Sequence, residues 1–476
     1  MNKELTILPS SFRDPSGQLF WYEGILYRQI NSTYREQYEQ LMDSGLYREL
    51  VDAELLIPHQ EVSDVPCPEP AGAYKTIKPR FIPFISYPYE WSFSQLQDAA
   101  LLTLAIQKKA LDFKMTLKDA SAYNIQLAGG KPVFIDTLSF EHYREGTPWV
   151  AYRQFCQHFL APLALMSYRG HRLHQMLRVF LDGIPLDLAS SLLPFATRLR
   201  FSLLSHIHLH ARSQKHYAAK KTTAEVKKRS HFPMLGLIDN LESAVTSLKL
   251  RTATAEWADY YEEKVFSAEY LEEKKALVST FLEKINPSLV WDLGANTGLF
   301  SRIASNKGIL TLSLEIDPDC VEKNYKQVTR DKESSLLPLL LDLTNPSPSL
   351  GWENNERDAF VERGPADMVM ALALLHHLAI SNNLPFSKIA AFFRRICTSL
   401  IIEFIPKSDP RAKQLLLNRE DVFENYTREH FEAEFAPYFH TLERKKLENS
   451  ERMLYLMAKK ETYPGDTGNR EFDDSC

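Results

Sequence analysis

Residues 288–305 read SLVWDLGANTGLFSRIAS, and the fold is decided there. A short apolar run ends at Asp292, a turn carries Gly294 and Gly298, and from Leu299 the apolar spacing becomes helical. Strand, glycine turn and helix in that order open a strand–helix–strand unit. Glycine turns the backbone tightly and lets a ligand approach the main chain. The free N–H groups at a helix start add a partial positive charge. Twenty-one residues past Gly294, a second strand (311–315) ends in Glu315. An acid at that place can accept hydrogen bonds from both hydroxyls of a ribose.

The alternation continues outward. The pattern predicts a helix over 317–328, strands over 337–341 and 367–373, a helix over 386–397, a strand over 400–405 and a capped helix over 427–435. Two last strands, 441–447 and 453–458, flank ENSER as a hairpin. Such alternation predicts a parallel sheet covered by helices, closed by an antiparallel edge.

The glycine spacing narrows the ligand. A dinucleotide fingerprint is G-x-G-x-x-G, whereas this turn is D-x-G-x-x-x-G with Asn296 at its middle. No third glycine makes room for a pyrophosphate, and Asp292 would repel one, which disfavours an NAD-dependent oxidoreductase. An acid there suits the cationic amino acid end of S-adenosylmethionine. Asn296 could equally cap the following helix.

The segment resembles motif I of class I S-adenosylmethionine-dependent methyltransferases. The resemblance covers residues 251–460 and implies a Rossmann-like sheet of seven strands in the order 3-2-1-4-5-7-6. It implies cofactor contacts from Asp292, Gly294, Asn296 and Gly298, with Glu315 of LSLEIDPD at the ribose. Asp342 of LLLDLT falls where that family places an acid near the adenine amino group. ADMVMALALLHHL is similar to the fourth strand and the loop beside the transferred methyl, and IIEFIP to the fifth strand. Trp257, Tyr260 and Tyr261 precede motif I, in a segment that often folds over the cofactor in this family, although a packing helix fits them equally. His376 and His377 are candidate bases because imidazole titrates near neutral pH, and His377 is taken as the catalytic candidate; capping or packing is the competing role. The chain lacks the NPPY or DPPY tetrapeptide of methyltransferases that act on DNA bases. GANTG followed by LEIDPD is also similar to methyltransferases acting on oxygen atoms of sugars and natural products. A looser likeness is to rhizobial nodulation-type methyltransferases.

The first 210 residues are rich in aromatics and prolines. Ser92-Phe93-Ser94-Gln95 has the form of a capping box and opens an amphipathic helix, LQDAALLTLAIQKKAL. KPVFID (131–136) reads as a buried strand, and 149–210 as helical. In TLKDASAYNIQLAGGKPVFIDTLSFE, Asn124 follows Asp119 by five residues and Asp136 follows by twelve more. This resembles the core of the protein-kinase and aminoglycoside-phosphotransferase superfamily. The likeness implies that Asp119 orients or deprotonates an acceptor hydroxyl, while Asn124 and Asp136 hold magnesium against the phosphates of ATP. FIPFISYPYEW (81–91) would then be the hinge strand. Leu117 departs from the usual histidine, no G-x-G loop is visible over 16–24, and Arg28 is the nearest basic residue on a plausible strand. The competing reading is a helical substrate-recognition domain in which Asp119 and Asn124 form a turn. His206, His208 and His210 alternate, but on a helix only His206 and His210 align; no acid or cysteine completes a metal site, and a solvated or packing role is expected.

Residues 211–230 carry seven Lys or Arg against one Glu and read as a solvated basic connector. The expected organisation is a kinase-like or recognition domain over 1–210, a linker and helix over 211–250, a methyltransferase domain over 251–460 and a frayed tail over 461–476. Composition agrees with a folded multi-domain chain: 476 residues, 44% apolar and 25% charged. A net charge of −5 argues against nucleic acid binding over the whole surface. Five cysteines without a C-x-x-C pair argue against a disulfide framework or zinc ribbon. No secretory signal or membrane span is apparent, so a cytoplasmic enzyme is expected. The expected activity is methyl transfer from S-adenosylmethionine to a small-molecule or glycan acceptor, with O-methylation favoured. The alternative is a Mg/ATP-dependent phosphotransferase or pseudokinase whose methyltransferase-like half senses the cofactor.

Overall fold

The computed structural model describes residues 5–210, 231–250, 268–417, 422–448 and 450–462. The basic connector 211–230, the aromatic segment with Trp257, Tyr260 and Tyr261, and the tail from 463 lie outside the described residues. The chain divides into two compact units. One comprises Met1–Thr254, Tyr325–Ser334 and Pro348–Asp358; the other comprises Ala255–Asn324, Ser335–Ser347 and Ala359–Cys476. Among the described residues, no helix is long and apolar enough to cross a membrane.

The first unit opens with β1 (Thr6–Ile7), β2 (Gly17–Tyr22), β3 (Ile25–Asn31), β4 (His59–Val62) and β5 (Ala73–Pro79). They form an antiparallel sheet in the order β1-β2-β3-β5-β4. A tight turn at Glu23 and Gly24, both with positive φ, joins β2 to β3. The expected capping box forms: the Ser92 N–H donates to Gln95 Oε1 at 2.7 Å and opens a helix, Phe93–Asp112. That helix buries Leu96, Ala100, Leu104 and Ile106. β6 (Met115–Leu117), β7 (Ile125–Ala128), β8 (Lys131–Phe134) and β9 (Phe140–His142) follow as two small ladders, β6 with β9 and β7 with β8. The stretch 81–91, expected as a hinge strand, holds no strand. Pro83 and Pro88 lack the N–H that a ladder needs, and only a 3₁₀ turn, Pro88–Glu90, forms there.

The second unit carries β10 (Leu289–Leu293), β11 (Leu310–Glu315), β12 (Leu336–Leu340), β13 (Ala366–Ala371), β14 (Cys397–Phe404), β15 (Phe439–Lys446) and β16 (Met453–Lys459). Their order is β12-β11-β10-β13-β14-β16-β15. Counted from β10, this is the 3-2-1-4-5-7-6 order expected. Every pairing from β12 to β14 is parallel, and β16 is antiparallel to both its neighbours. The central strands read as continuous apolar runs because both faces are covered. A helix not anticipated from sequence, Ala268–Ile285, sets Val278, Phe281 and Leu282 against Val290, Met368, Ile401 and Leu456. Full burial of a side chain such as Phe281 contributes roughly 1.5–3 kcal/mol.

Candidate functional site

The glycine turn sits where the strand order reverses. From β10 the chain goes outward through β11 to β12, then returns to β13 on the other side. Ligands of open α/β sheets bind in the crevice at the carboxyl ends beside such a reversal. The N–H groups of Gly294 and Ala295 both donate to the Leu314 carbonyl, at 2.8 and 3.1 Å. Gly294, Asn296 and Gly298 take left-handed backbone, with φ of 71°, 52° and 81°. A Cβ at Gly298 would lie 2.6 Å from Asn324 Nδ2, and one at Gly294 would lie 3.2 Å from Leu374 Cδ1. The following helix is shorter than expected, Ser301–Ser305. Any charge at its start is correspondingly weak.

Three of the expected acids stand at this edge. Asp292, near the end of β10, is 2% exposed and accepts the Ser301 hydroxyl at 2.6 Å. Burial raises its pKa to about 7, against the pull of Ser301 and Lys274. Glu315 ends β11 and is pinned under the turn. Its carboxylate accepts the N–H groups of Asn296 and Ile316, each at 2.8 Å, and of Asp317 at 3.0 Å. Burial still raises its pKa. Asp342 lies two residues past β12, where Oδ1 accepts the N–H and hydroxyl of Thr344 at 2.8 and 2.6 Å. Asn296 does not act as a cap for the helix: its Oδ1 accepts the next N–H, that of Thr297, at 2.7 Å.

Both histidines follow β13, past Ala373, which also has positive φ. Their rings lie 4.3 Å apart. His377 is half-buried, and burial lowers its pKa. His376 is fully buried, and neither ring nitrogen has a partner among the described residues. Burial first, then His377 and Arg452, keeps its imidazole neutral at ordinary pH.

Beneath this loop lies a charge cluster that the sequence reading missed. Glu403 on β14 is fully buried. It accepts Lys274 Nζ at 2.7 Å, the Tyr270 hydroxyl at 3.1 Å and the Ala373 N–H at 2.7 Å. Arg452 stands 3.6 Å from Glu403 and 2.7 Å from Asp409. Burial pushes Glu403 up, but Lys274 and Arg452 more than offset it and hold its pKa at about 2. The available signal was the acid inside the apolar run IIEFIP, since a buried carboxylate needs a partner.

In the first unit, Asp119, Asn124 and Asp136 come together. The Asn124 amide donates to Ser139 Oγ at 3.2 Å and also bonds to Asp119. Burial and the nearby Asp136 raise the Asp119 pKa. Asp136 pairs with Arg28 of β3, accepts the Leu138 N–H at 3.0 Å and bonds to the Ser139 hydroxyl. Burial pushes Asp136 up, but Arg28 and Ser139 hold it below the usual carboxylate range. The three histidines take packing contacts. His206 bonds to the Tyr152 hydroxyl and Asn240 Oδ1, each at 2.7 Å, and His208 to Ser190 and Thr197 at 2.8 and 2.9 Å.

No family model matches the chain. The chain is 33% identical over 466 residues to nodulation protein NoeA of Rhizobium meliloti (strain 1021), covering 95% of this chain and 96% of NoeA. Distant structural likenesses include the PH0226 protein from Pyrococcus horikoshii OT3, at 16% identity over 42% of this chain and 99% of that one, TM-score 0.32. The N-methyltransferase NodS from Bradyrhizobium japonicum WM9 is similar at 10% identity over 41% of this chain and 99% of NodS, TM-score 0.29. The bifunctional kinase-methyltransferase WbdD is similar at 14% identity over 43% of this chain and 42% of WbdD, TM-score 0.28.

Proposed function

The chain belongs to the family of nodulation protein NoeA, and we propose that it is an S-adenosylmethionine-dependent methyltransferase whose second unit holds the cofactor. The observation that carries the proposal is the set of acids Asp292, Glu315 and Asp342 at the carboxyl ends of three neighbouring strands, around a left-handed glycine turn. The residues fit that group. Asp292 offers a buried carboxylate to a cationic amino group, and Glu315 and Asp342 offer acceptors to ribose and adenine. Gly294 and Gly298 give the turn its left-handed backbone at places where a Cβ would press on Leu374 and clash with Asn324.

The cofactor, when bound, supplies a methyl group on a sulfonium centre that a nucleophile can attack. The chain's part is to orient the partners and to take up a proton. A neutral imidazole can accept, at its one unprotonated nitrogen, the proton that an acceptor hydroxyl loses, and neither nitrogen of His376 is engaged by another group among the described residues. His377 is the alternative on the same loop. A small-molecule or glycan hydroxyl is the acceptor class proposed. Equilibrium dialysis against labelled S-adenosylmethionine tests the reading. The chain is expected to retain label and Glu315→Ala to lose most of it; equal retention by both would contradict the assignment.

A second reading, a phosphotransferase in the first unit, is favoured by the gathering of Asp119, Asn124 and Asp136 beside Arg28. Phosphoryl transfer of that kind needs magnesium. As folded, both Asp136 oxygens are engaged by protein donors, and Asn124 spends its amide on Asp119 and Ser139. That arrangement does not fit a divalent cation. Magnesium-dependent ATP binding that Asp136→Ala abolishes would favour this reading over a non-catalytic unit.

A further inference from the structure

The first unit presents an apolar surface that its own fold leaves uncovered. Residues 192–201 read LLPFATRLRF. Phe195, Leu199 and Phe201 are 72%, 81% and 74% exposed. Single exposed apolar residues are ordinary, but three within seven positions are not. The segment is no loose tip. Thr197 is buried between the exposed positions, Leu193 and Leu203 are buried on either side of them, and the three anchor the segment. Thr197 Oγ1 bonds to the Pro194 carbonyl at 2.6 Å and to His208 Nε2 at 2.9 Å. The turn Phe195–Leu199 and the short helix Phe201–Leu203 therefore hold the three side chains outward by construction.

Two arginines interleave with them. The Arg198 guanidinium lies 5.2 Å from the Phe195 ring centre, and Arg200 lies 5.9 Å from that of Tyr168. Neither forms an ion pair among the described residues. From 188 to 210 the sequence contains no Asp or Glu. The surface is thus apolar and cationic at once, on a chain whose net charge is −5.

We propose that this segment docks the protein on an anionic lipid surface, with Phe195, Leu199 and Phe201 entering the headgroup layer and Arg198 and Arg200 pairing with lipid phosphates. Peripheral segments bind in this way, by combining inserted apolar side chains with attraction to anionic lipid. The long arginine stems let the charge stay at the interface. A stable protein partner commonly needs roughly 20–30 residues a side, far more than one ten-residue segment offers. A membrane needs only a few anchors and a charge signal.

Co-sedimentation of the full chain with vesicles tests the proposal. Vesicles of phosphatidylcholine with phosphatidylglycerol are expected to carry the protein down, and vesicles of phosphatidylcholine alone much less. High salt is expected to weaken the binding. The triple variant Phe195→Ser/Leu199→Ser/Phe201→Ser is expected to stay in solution. Arg198→Gln/Arg200→Gln is expected to bind anionic vesicles roughly thirtyfold more weakly, since each arginine near such a surface is worth about a factor of five. All five positions are at the surface, so the melting temperature of either variant is expected to match that of the parent. No binding to anionic vesicles, or binding blind to lipid charge and to both variants, would overturn the proposal. So would self-association in light scattering that the triple variant abolishes, because the occupant would then be a second copy.

Discussion

The titration of Asp292 reports on the proposed pairing with the cofactor's amino group. Burial raises its pKa to about 7, so near neutral pH the free protein holds it partly protonated. A cationic amino group pairs only with the ionised form. Affinity for S-adenosylhomocysteine is therefore expected to rise with pH up to about 7 and to level off above it, by up to about tenfold per unit on the rising side. A proton is released on binding below that point, which calorimetry in buffers of different ionisation enthalpy measures. Asp292→Asn is expected to flatten the profile and weaken binding; a wild-type profile without slope would contradict the pairing. The places of Asp292, Glu315 and Asp342 at the ends of neighbouring strands were legible in sequence, because each acid closes or follows an apolar run. The difference between His376 and His377 was not. It depends on the backbone phase after β13, where Ala373 takes positive φ and turns one ring fully inward.

At the scale of elements, Glu403 ties strand β14, helix Ala268–Ile285, the loop after β13 and Arg452 into one cluster. Its pKa falls from 4.5 to about 2 on folding. The stability it contributes is thus complete above the unfolded value and is lost as pH falls through about 2. Removing one member of a buried charge cluster typically costs about 3–5 kcal/mol. Glu403→Gln is expected to speed hydrogen exchange across β13 and β14 and to remove that part of the acid sensitivity. Unchanged exchange would mean that the cluster is dispensable. The strands of the second unit were legible to within about three residues, because each is one apolar run bounded by turn residues, whereas the helices Ala268–Ile285 and Pro410–Leu416 were not read. The tie itself was not, since Lys274 and Glu403 stand 129 residues apart. The sheet of the first unit also escaped. In β2 the half-buried Trp21 and Tyr22 adjoin and break the alternation that marks a strand.

At the scale of the molecule, the parallel sheet with its reversal at β10 followed from the order of strands and helices, whereas the composition of the first unit did not reveal its antiparallel sheet. Its Asp119–Asn124–Asp136 spacing was visible, but the Arg28 pairing that closes the cluster depends on a strand 108 residues upstream of Asp136. The cofactor is proposed to bind the second unit alone, and calorimetric titration of the full chain with S-adenosylhomocysteine tests that most directly. Micromolar binding, abolished by Asp292→Ala and unchanged by Asp136→Ala, is the predicted result. A chain shown to be folded that takes up no S-adenosylhomocysteine, or whose uptake survives Asp292→Ala, would contradict it.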